Sequence, residues 1–249
     1  MEDLDARGLV ILQPQKGYRF NSDSVILANL AEVNPGEKVY DLGCGSGVMS
    51  LLIAAKREAR VVGVELQEAL ASMAERSVRA NEYQDKVSVV RGDLRNAKEL
   101  FPAADADVIV INPPYFKAGS GEVNRDEMQA IARHEIAVTL SEELDAATHL
   151  LKESGKAYFI FPLSREKEFD QEVKVHGLCL AEKVYLTASK DKAPESFIAL
   201  VTKTPVMIDL SKKPSSSSAQ EGEEIKSRIL VTKDEKGNMS KEVAALYRS

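Results

Sequence analysis

A chain of 249 residues, 44% of them hydrophobic, is long enough to close one sizeable core, because a domain of this size buries about 70% of the surface its unfolded chain exposes. The net charge of −6 weighs against broad, sequence-independent binding of nucleic acid through its phosphates, though not against a local basic patch. The start Met1-Glu2-Asp3 is acidic, no apolar run approaches the roughly 20 residues that cross a bilayer, and Cys44 and Cys179 stand far apart outside any C-x-x-C spacing, so the expectation is a soluble cytoplasmic monomer with reduced cysteines, no membrane span and no metal site.

In chain order, Tyr18-Arg19-Phe20-Asn21-Ser22-Asp23-Ser24 leads into an apolar helix, Val25 to Ala31, with Asp23 or Ser22 as its cap. From Glu37 onward β-rich runs alternate with helical patterns, the mark of βαβ units around a mostly parallel sheet. The strands are expected at Lys38 to Asp41, Arg60 to Glu65, Lys86 to Arg91, Asp107 to Ile111 and Lys156 to Phe161. The helices are expected at Val48 to Lys56, Glu68 to Asn81, Ser141 to Lys152 and Ser164 to Val175. Ser141 reads as an N-cap and Gly155 as a helix stop. After Gly177 the alternation ends. Leu178 to Thr187 and Ser196 to Lys203 follow each other across a polar loop, which predicts an antiparallel hairpin at the sheet edge. The stretch from Ser211 to Glu224 lacks the apolar residues that offset ordering entropy and reads as a flexible linker, beyond which Ile229 to Val231 and Val243 to Tyr247 supply a last strand and helix. The expected organisation is an N-terminal motif and helix over 1–34, the main domain over 35–204, and a linker with a packed extension over 205–249.

Asp41-Leu42-Gly43-Cys44-Gly45-Ser46-Gly47 falls where a strand gives way to a helix, the place where an open α/β sheet binds a nucleotide-like ligand. A dinucleotide fingerprint would close on Gly or Ala, but Val48 or Ser50 occupies that position, so NAD is disfavoured. Glu65 and Asp93 end the next two strands, and three carboxylates along one sheet edge form a set that solvated strand ends rarely make by accident. These residues resemble the class I S-adenosylmethionine-dependent methyltransferases, from Asn34 to Lys203. The resemblance implies a Rossmann-like, mostly parallel seven-stranded sheet with a closing antiparallel hairpin. It also implies S-adenosylmethionine as cofactor, with Asp41, Gly43 and Gly45 at its methionine moiety, Glu65 at the ribose, Asp93 at the adenine amine, Leu66 and Leu94 beside them, and Asn112 among the residues that bind it.

Asn112-Pro113-Pro114-Tyr115 follows the fourth strand directly, and two prolines in succession cannot continue a sheet ladder. The motif resembles that of amino-methyltransferases. By that resemblance, the Asn112 side-chain oxygen and the Pro113 carbonyl accept the two hydrogens of a target amine, while Pro114, Tyr115 and Phe116 hold a flipped-out base. In the long segment that follows, Arg133 is a candidate for a phosphate and His134 for the base, against the plain alternative of a solvated helix end. Gly17 to Ala28, Asn112 to Phe116 and Ala132 to Glu135 together resemble the bacterial tRNA adenine-N6 methyltransferases that modify a valine tRNA next to its anticodon. That resemblance implies tRNA as partner and lays Asp23 against the methionine end of the cofactor. A protein glutamine N5-methyltransferase is the nearest alternative, disfavoured because about 35 residues, and no helical substrate domain, precede the first main strand. An rRNA guanine-N2 enzyme, a DNA adenine methyltransferase and a catalytically silent RNA-binding scaffold are further alternatives.

Overall fold

The computed structural model describes residues 2–3, 8–14, 20, 22–112, 138–205, 225–234 and 237–248. Two short strands, β1 (Glu2–Asp3) and β2 (Val10–Ile11), pair antiparallel, and helix α1 (Ser22–Leu30) follows. The main domain runs β3 (Lys38–Leu42), α2 (Val48–Arg57), β4 (Arg60–Glu65), α3 (Glu68–Ala80), β5 (Val87–Arg91), α4 (Ala97–Leu100), β6 (Ala106–Ile111), α5 (Leu140–Leu150), β7 (Leu151–Pro162), α6 (Glu166–Val175), β8 (Cys179–Thr187) and β9 (Ser196–Thr202). Strand β10 (Lys226–Val231) and helix α7 (Lys241–Arg248) close the chain.

The strands β3 to β10 form one sheet in the order β10-β8-β9-β7-β6-β3-β4-β5. From β5 to β7 every pairing is parallel, and β9 inserts antiparallel between β7 and β8, so the expected hairpin is present. The seven expected strands are joined by an eighth, because β10 lies parallel against β8 with Leu230 beside Leu186. Both faces are covered. Along β6, Val108 and Val110 enter the core under α1 and α2, while Ile109 and Ile111 enter the core under α5 and α6. A strand buried on both faces reads as a continuous apolar run, which is why Asp107 to Ile111 is legible as a sheet centre.

Three local expectations need correction. Helix α1 begins at Ser22, so Ser22 and Asp23 lie in its first turn rather than capping it from outside. Helix α5 is capped by Thr139 and not Ser141: the Thr139 hydroxyl accepts from the Glu142 N–H, and the Glu142 carboxylate accepts from the Thr139 N–H at 2.8 Å. Gly155 does not stop that helix. It lies inside β7, near the register shift where Ala106 and Val108 of β6 pair with Leu151 and Lys156, and a Cβ there would stand 3.1 Å from the Ala106 carbonyl oxygen.

One buried charge network has no forecast in the sequence pattern. The Lys183 ammonium, only 5% exposed, sits 2.7 Å from both Glu166 and Asp170 of α6, and Glu166 also accepts from the Tyr185 hydroxyl at 2.7 Å. Lys183→Ala is expected to lower unfolding free energy by about 2–3 kcal/mol in urea titrations, below the roughly 3–5 of a fully enclosed pair because both carboxylates reach solvent. Glu143 of α5 is buried with its Oε2 unbonded, and burial pushes its carboxyl up to about 8, with Arg165 opposing and Glu142 adding to the shift. The fold keeps Glu143 protonated where the unfolded chain has already ionised it, so folding takes up a proton and stability falls as pH rises from the ordinary 4.5 through about 8. Glu143→Gln should flatten that slope, raising the melting temperature relative to the parent at pH 8 and above and changing it little near pH 5.

Candidate active site

The chain runs outward from β3 to β4 and β5, then returns to β6 on the other side of β3. That reversal opens a crevice beyond the carboxyl ends of β3 and β6, where open α/β sheets bind ligands. Four loops meet there: 43–47 after β3, 66–67 after β4, 92–93 after β5, and Asn112 after β6.

The glycine loop is shaped from below. Gly43, Gly45 and Gly47 have φ of 78°, 57° and 89°, left-handed values that a side chain resists, and the Gly43 and Cys44 N–H groups both donate to the Val64 carbonyl. Under the loop β4 presents Gly63, where a Cβ would stand 2.9 Å from Cys44 Sγ and 3.1 Å from Ser50 Oγ. This residue was missed in the sequence, although a glycine in the middle of a β-branched strand is itself a sign of close approach.

Asp41, fully buried at the end of β3, accepts from the Ser50 N–H at 3.0 Å and the Ser50 hydroxyl at 2.6 Å. It thereby caps α2, whose N-cap residue Gly47 has no side chain to do so. Burial pushes its carboxyl up to about 7, against the two Ser50 hydrogen bonds and with a further push from the Glu65 charge. Its second oxygen, Oδ1, is buried without a hydrogen-bond partner among the described residues. Glu65, also buried, accepts from the Gly45 N–H at 2.9 Å and the Gln67 N–H at 2.8 Å, tying the first loop to the second. Burial raises the Glu65 pKa, while hydrogen bonds from Gln67, Gly45 and Leu66 oppose the rise.

Asp93 caps the turn Leu94–Asn96 and pairs with Arg95 at 2.5 Å, which, chiefly through that hydrogen bond, holds its carboxyl below the ordinary range. Leu94 is buried against the core and Leu66 is half-buried after β4. On the far side, Asn112 donates from Nδ2 to the Ser24 hydroxyl of α1 at 2.7 Å. Phe20, Ser24, the loop 43–46 and Asn112 line one cleft, so of the expected residues Gly43, Gly45 and Asn112 come together there, Glu65 reaches it through its bond to Gly45, and Asp41 lies buried beneath it, bonded to Ser50. Asp23 stands one residue before Ser24, in the first turn of α1. Pro113, Pro114, Tyr115, Phe116, Arg133 and His134 lie outside the described residues, as do 15–19, Asn21 and the linker 206–224. His149 and His176 are tied to the Phe101 and Glu172 carbonyls and play a structural part.

An unpartnered buried carboxylate oxygen, a left-handed glycine loop with open space where a Gly43 Cβ would stand, and a second carboxylate at the next strand end fit S-adenosylmethionine, whose sulfonium, ammonium and ribose hydroxyls need such partners. Fold and site together define an S-adenosylmethionine-dependent methyltransferase. The model of the methyltransferase small domain family matches residues 19–161. The tRNA1(Val) (adenine(37)-N6)-methyltransferase of Shewanella woodyi is 31% identical over 72% of this chain and 74% of its own, and that of Shewanella loihica is 26% identical over 94% and 92%. The chain belongs to the methyltransferase small domain family and, within it, to the tRNA1(Val) (adenine(37)-N6)-methyltransferases. Among solved structures, a predicted O-methyltransferase from Agrobacterium tumefaciens superposes with a TM-score of 0.64 at 15% identity, covering 90% of this chain and 95% of that one. TrmN from Thermus thermophilus superposes with 0.53 at 21% identity, covering 73% and 48%. Both likenesses concern the fold alone.

Proposed function

We propose that this enzyme methylates the exocyclic N6 amine of an adenine in a tRNA, next to the anticodon of a valine tRNA, acting as a cytoplasmic monomer. The observation that carries the chemistry is the placement of Asn112 across the cleft from the glycine loop, its amide nitrogen bonded to Ser24. The names of the relatives support the choice of tRNA.

An adenine amine is a poor nucleophile because its lone pair is delocalised into the ring. When bound, S-adenosylmethionine supplies a methyl group on a positively charged sulfur that leaves as a neutral thioether. Asn112 Oδ1 accepts one amine hydrogen and the carbonyl of Pro113, next in the chain, accepts the other. The two acceptors keep both N–H bonds out of the line of attack and stabilise the positive charge that grows on nitrogen as the N–C bond forms. Orientation of nitrogen, methyl and sulfur is worth up to about 7–11 kcal/mol, so no strong general base is required before attack, and the methylated nitrogen gives up one of its two hydrogens as a proton to water once the bond has formed. Asp41 and Glu65 hold the cofactor, and Tyr115 and Phe116 stack on the base, each stack contributing about 1–3 kcal/mol.

The test is incubation with methyl-labelled cofactor and unmodified total tRNA, followed by digestion to nucleosides. Label in N6-methyladenosine is the expected result. Label instead on a glutamine side chain of a release factor, with none in tRNA, would overturn the assignment of substrate.

A further inference from the structure

An asparagine amide has two ends of nearly equal shape and opposite hydrogen-bonding character, a carbonyl that accepts and an NH2 that donates. Only the carbonyl end can receive a hydrogen from a substrate amine. With the NH2 end turned to the amine, donor would face donor, so the rotation of one side-chain torsion decides whether the site works. Pro113 restricts the backbone of Asn112 but leaves that torsion free.

The structure brings a polar contact to that amide from a distant part of the chain. Ser24, only 5% exposed, places its hydroxyl oxygen 2.7 Å from Asn112 Nδ2, across 88 positions of sequence. The helix that carries it is itself fixed to the domain. Lys56 of α2 donates to Asn29 Oδ1 at 2.7 Å, Arg57 donates to the Asn29 carbonyl at 3.2 Å, and Val25 to Asn29 are buried. Ser24 and Asn112 face the same cleft as the glycine loop, so the contact lies where the methyl group is transferred.

We propose that Ser24 is a positioning residue for methyl transfer: by accepting a hydrogen bond from Asn112 Nδ2, it holds the amide with its oxygen turned to the substrate amine. The inference deepens the reading of Asn112 above and rests on it. It makes α1 a working part of the active site, because the restraint acts on Asn112 and not on the cofactor. Loss of the hydroxyl therefore changes the fraction of productive complexes more than it changes cofactor binding.

The experiment measures kcat, and KM for cofactor and for unmodified tRNA, in Ser24→Ala, Ser24→Gly, Asn112→Ala and the double variant Ser24→Ala/Asn112→Ala, with melting temperatures alongside. One neutral hydrogen bond corresponds to a loss of about threefold to tenfold. That loss is expected in kcat for both Ser24 variants, with KM for cofactor within about twofold. Ser24→Thr, which keeps the hydroxyl, should recover most of the rate. In the Asn112→Ala background the Ser24 change should cost nothing further, since the group it positions is gone. Wild-type kcat in Ser24→Ala and Ser24→Gly, or an equal further loss on top of Asn112→Ala, overturns the proposal and leaves the role of Asn112 standing. Wild-type turnover in Asn112→Ala itself overturns the reading on which the proposal depends.

Discussion

Asn112→Ala is expected to lower turnover at least about a hundredfold while cofactor affinity stays within a few-fold of the parent. The side chain is placed to accept from an amine whose positive charge appears only as the new bond forms, so its removal weakens the transition state more than the ground state. Losing a single fixed partner of this kind typically costs about 3–4 kcal/mol of barrier, or two to three orders of magnitude in rate. The structural cost is small by comparison. Asn112 is half-buried, follows the last residue of β6, and bonds through its side-chain amide to Ser24. Single-turnover rates with labelled cofactor, at saturating tRNA, separate this from a binding defect. A variant that keeps the parent rate would remove Asn112 from the chemistry, and with it the argument that the crevice at β6 is built to activate an amine.

Most of the sheet was legible because its strands are buried on both faces. Arg60–Glu65 is an apolar run bounded by charge, and it forms β4 over those same residues. Asp41 and Glu65 could be chosen as strand-end carboxylates, but the bonds they make could not. Asp41 caps α2 through Ser50, and Glu65 pins Gly45; the first contact depends on how α2 leaves the end of β3, the second on how the glycine loop folds over the end of β4. The Thr139 cap was within reach of sequence rules, since Glu142 follows it by three residues whereas Leu144 follows Ser141. Gly155 misled because α5 passes straight into β7 at Leu151, without the loop that a helix-stopping glycine usually begins. Lys183 and Ser24 were beyond reach for a common reason. Each is a polar residue at the edge of an apolar run whose partner lies elsewhere in the chain, Glu166 and Asp170 in one case and Asn112 in the other.

Glu65→Ala should weaken cofactor binding by about a hundredfold and leave kcat at saturating cofactor within about threefold. In the reading proposed above, the Glu65 carboxylate receives the ribose hydroxyls on the lone pairs that Gly45, Gln67 and Leu66 do not use. Hydrogen bonds to a charged acceptor are worth about 1.5–3 kcal/mol each, so losing two of them gives two orders of magnitude or more in affinity. Two further effects act in the same direction. The Gly45 N–H is left without its partner in a buried loop, and that loop is the one that must hold its shape beneath the ligand. Glu65→Gln separates these contributions, because an amide keeps one accepting oxygen for the protein backbone and turns an NH2 toward the other donor. Its loss should fall between the parent and Glu65→Ala. The demethylated product S-adenosylhomocysteine carries the same ribose and should suffer the same factor as the cofactor. Calorimetric titration of both ligands reads this directly. If the product loses affinity and the cofactor does not, Glu65 is not the ribose ligand and the crevice binds its ligand in some other orientation.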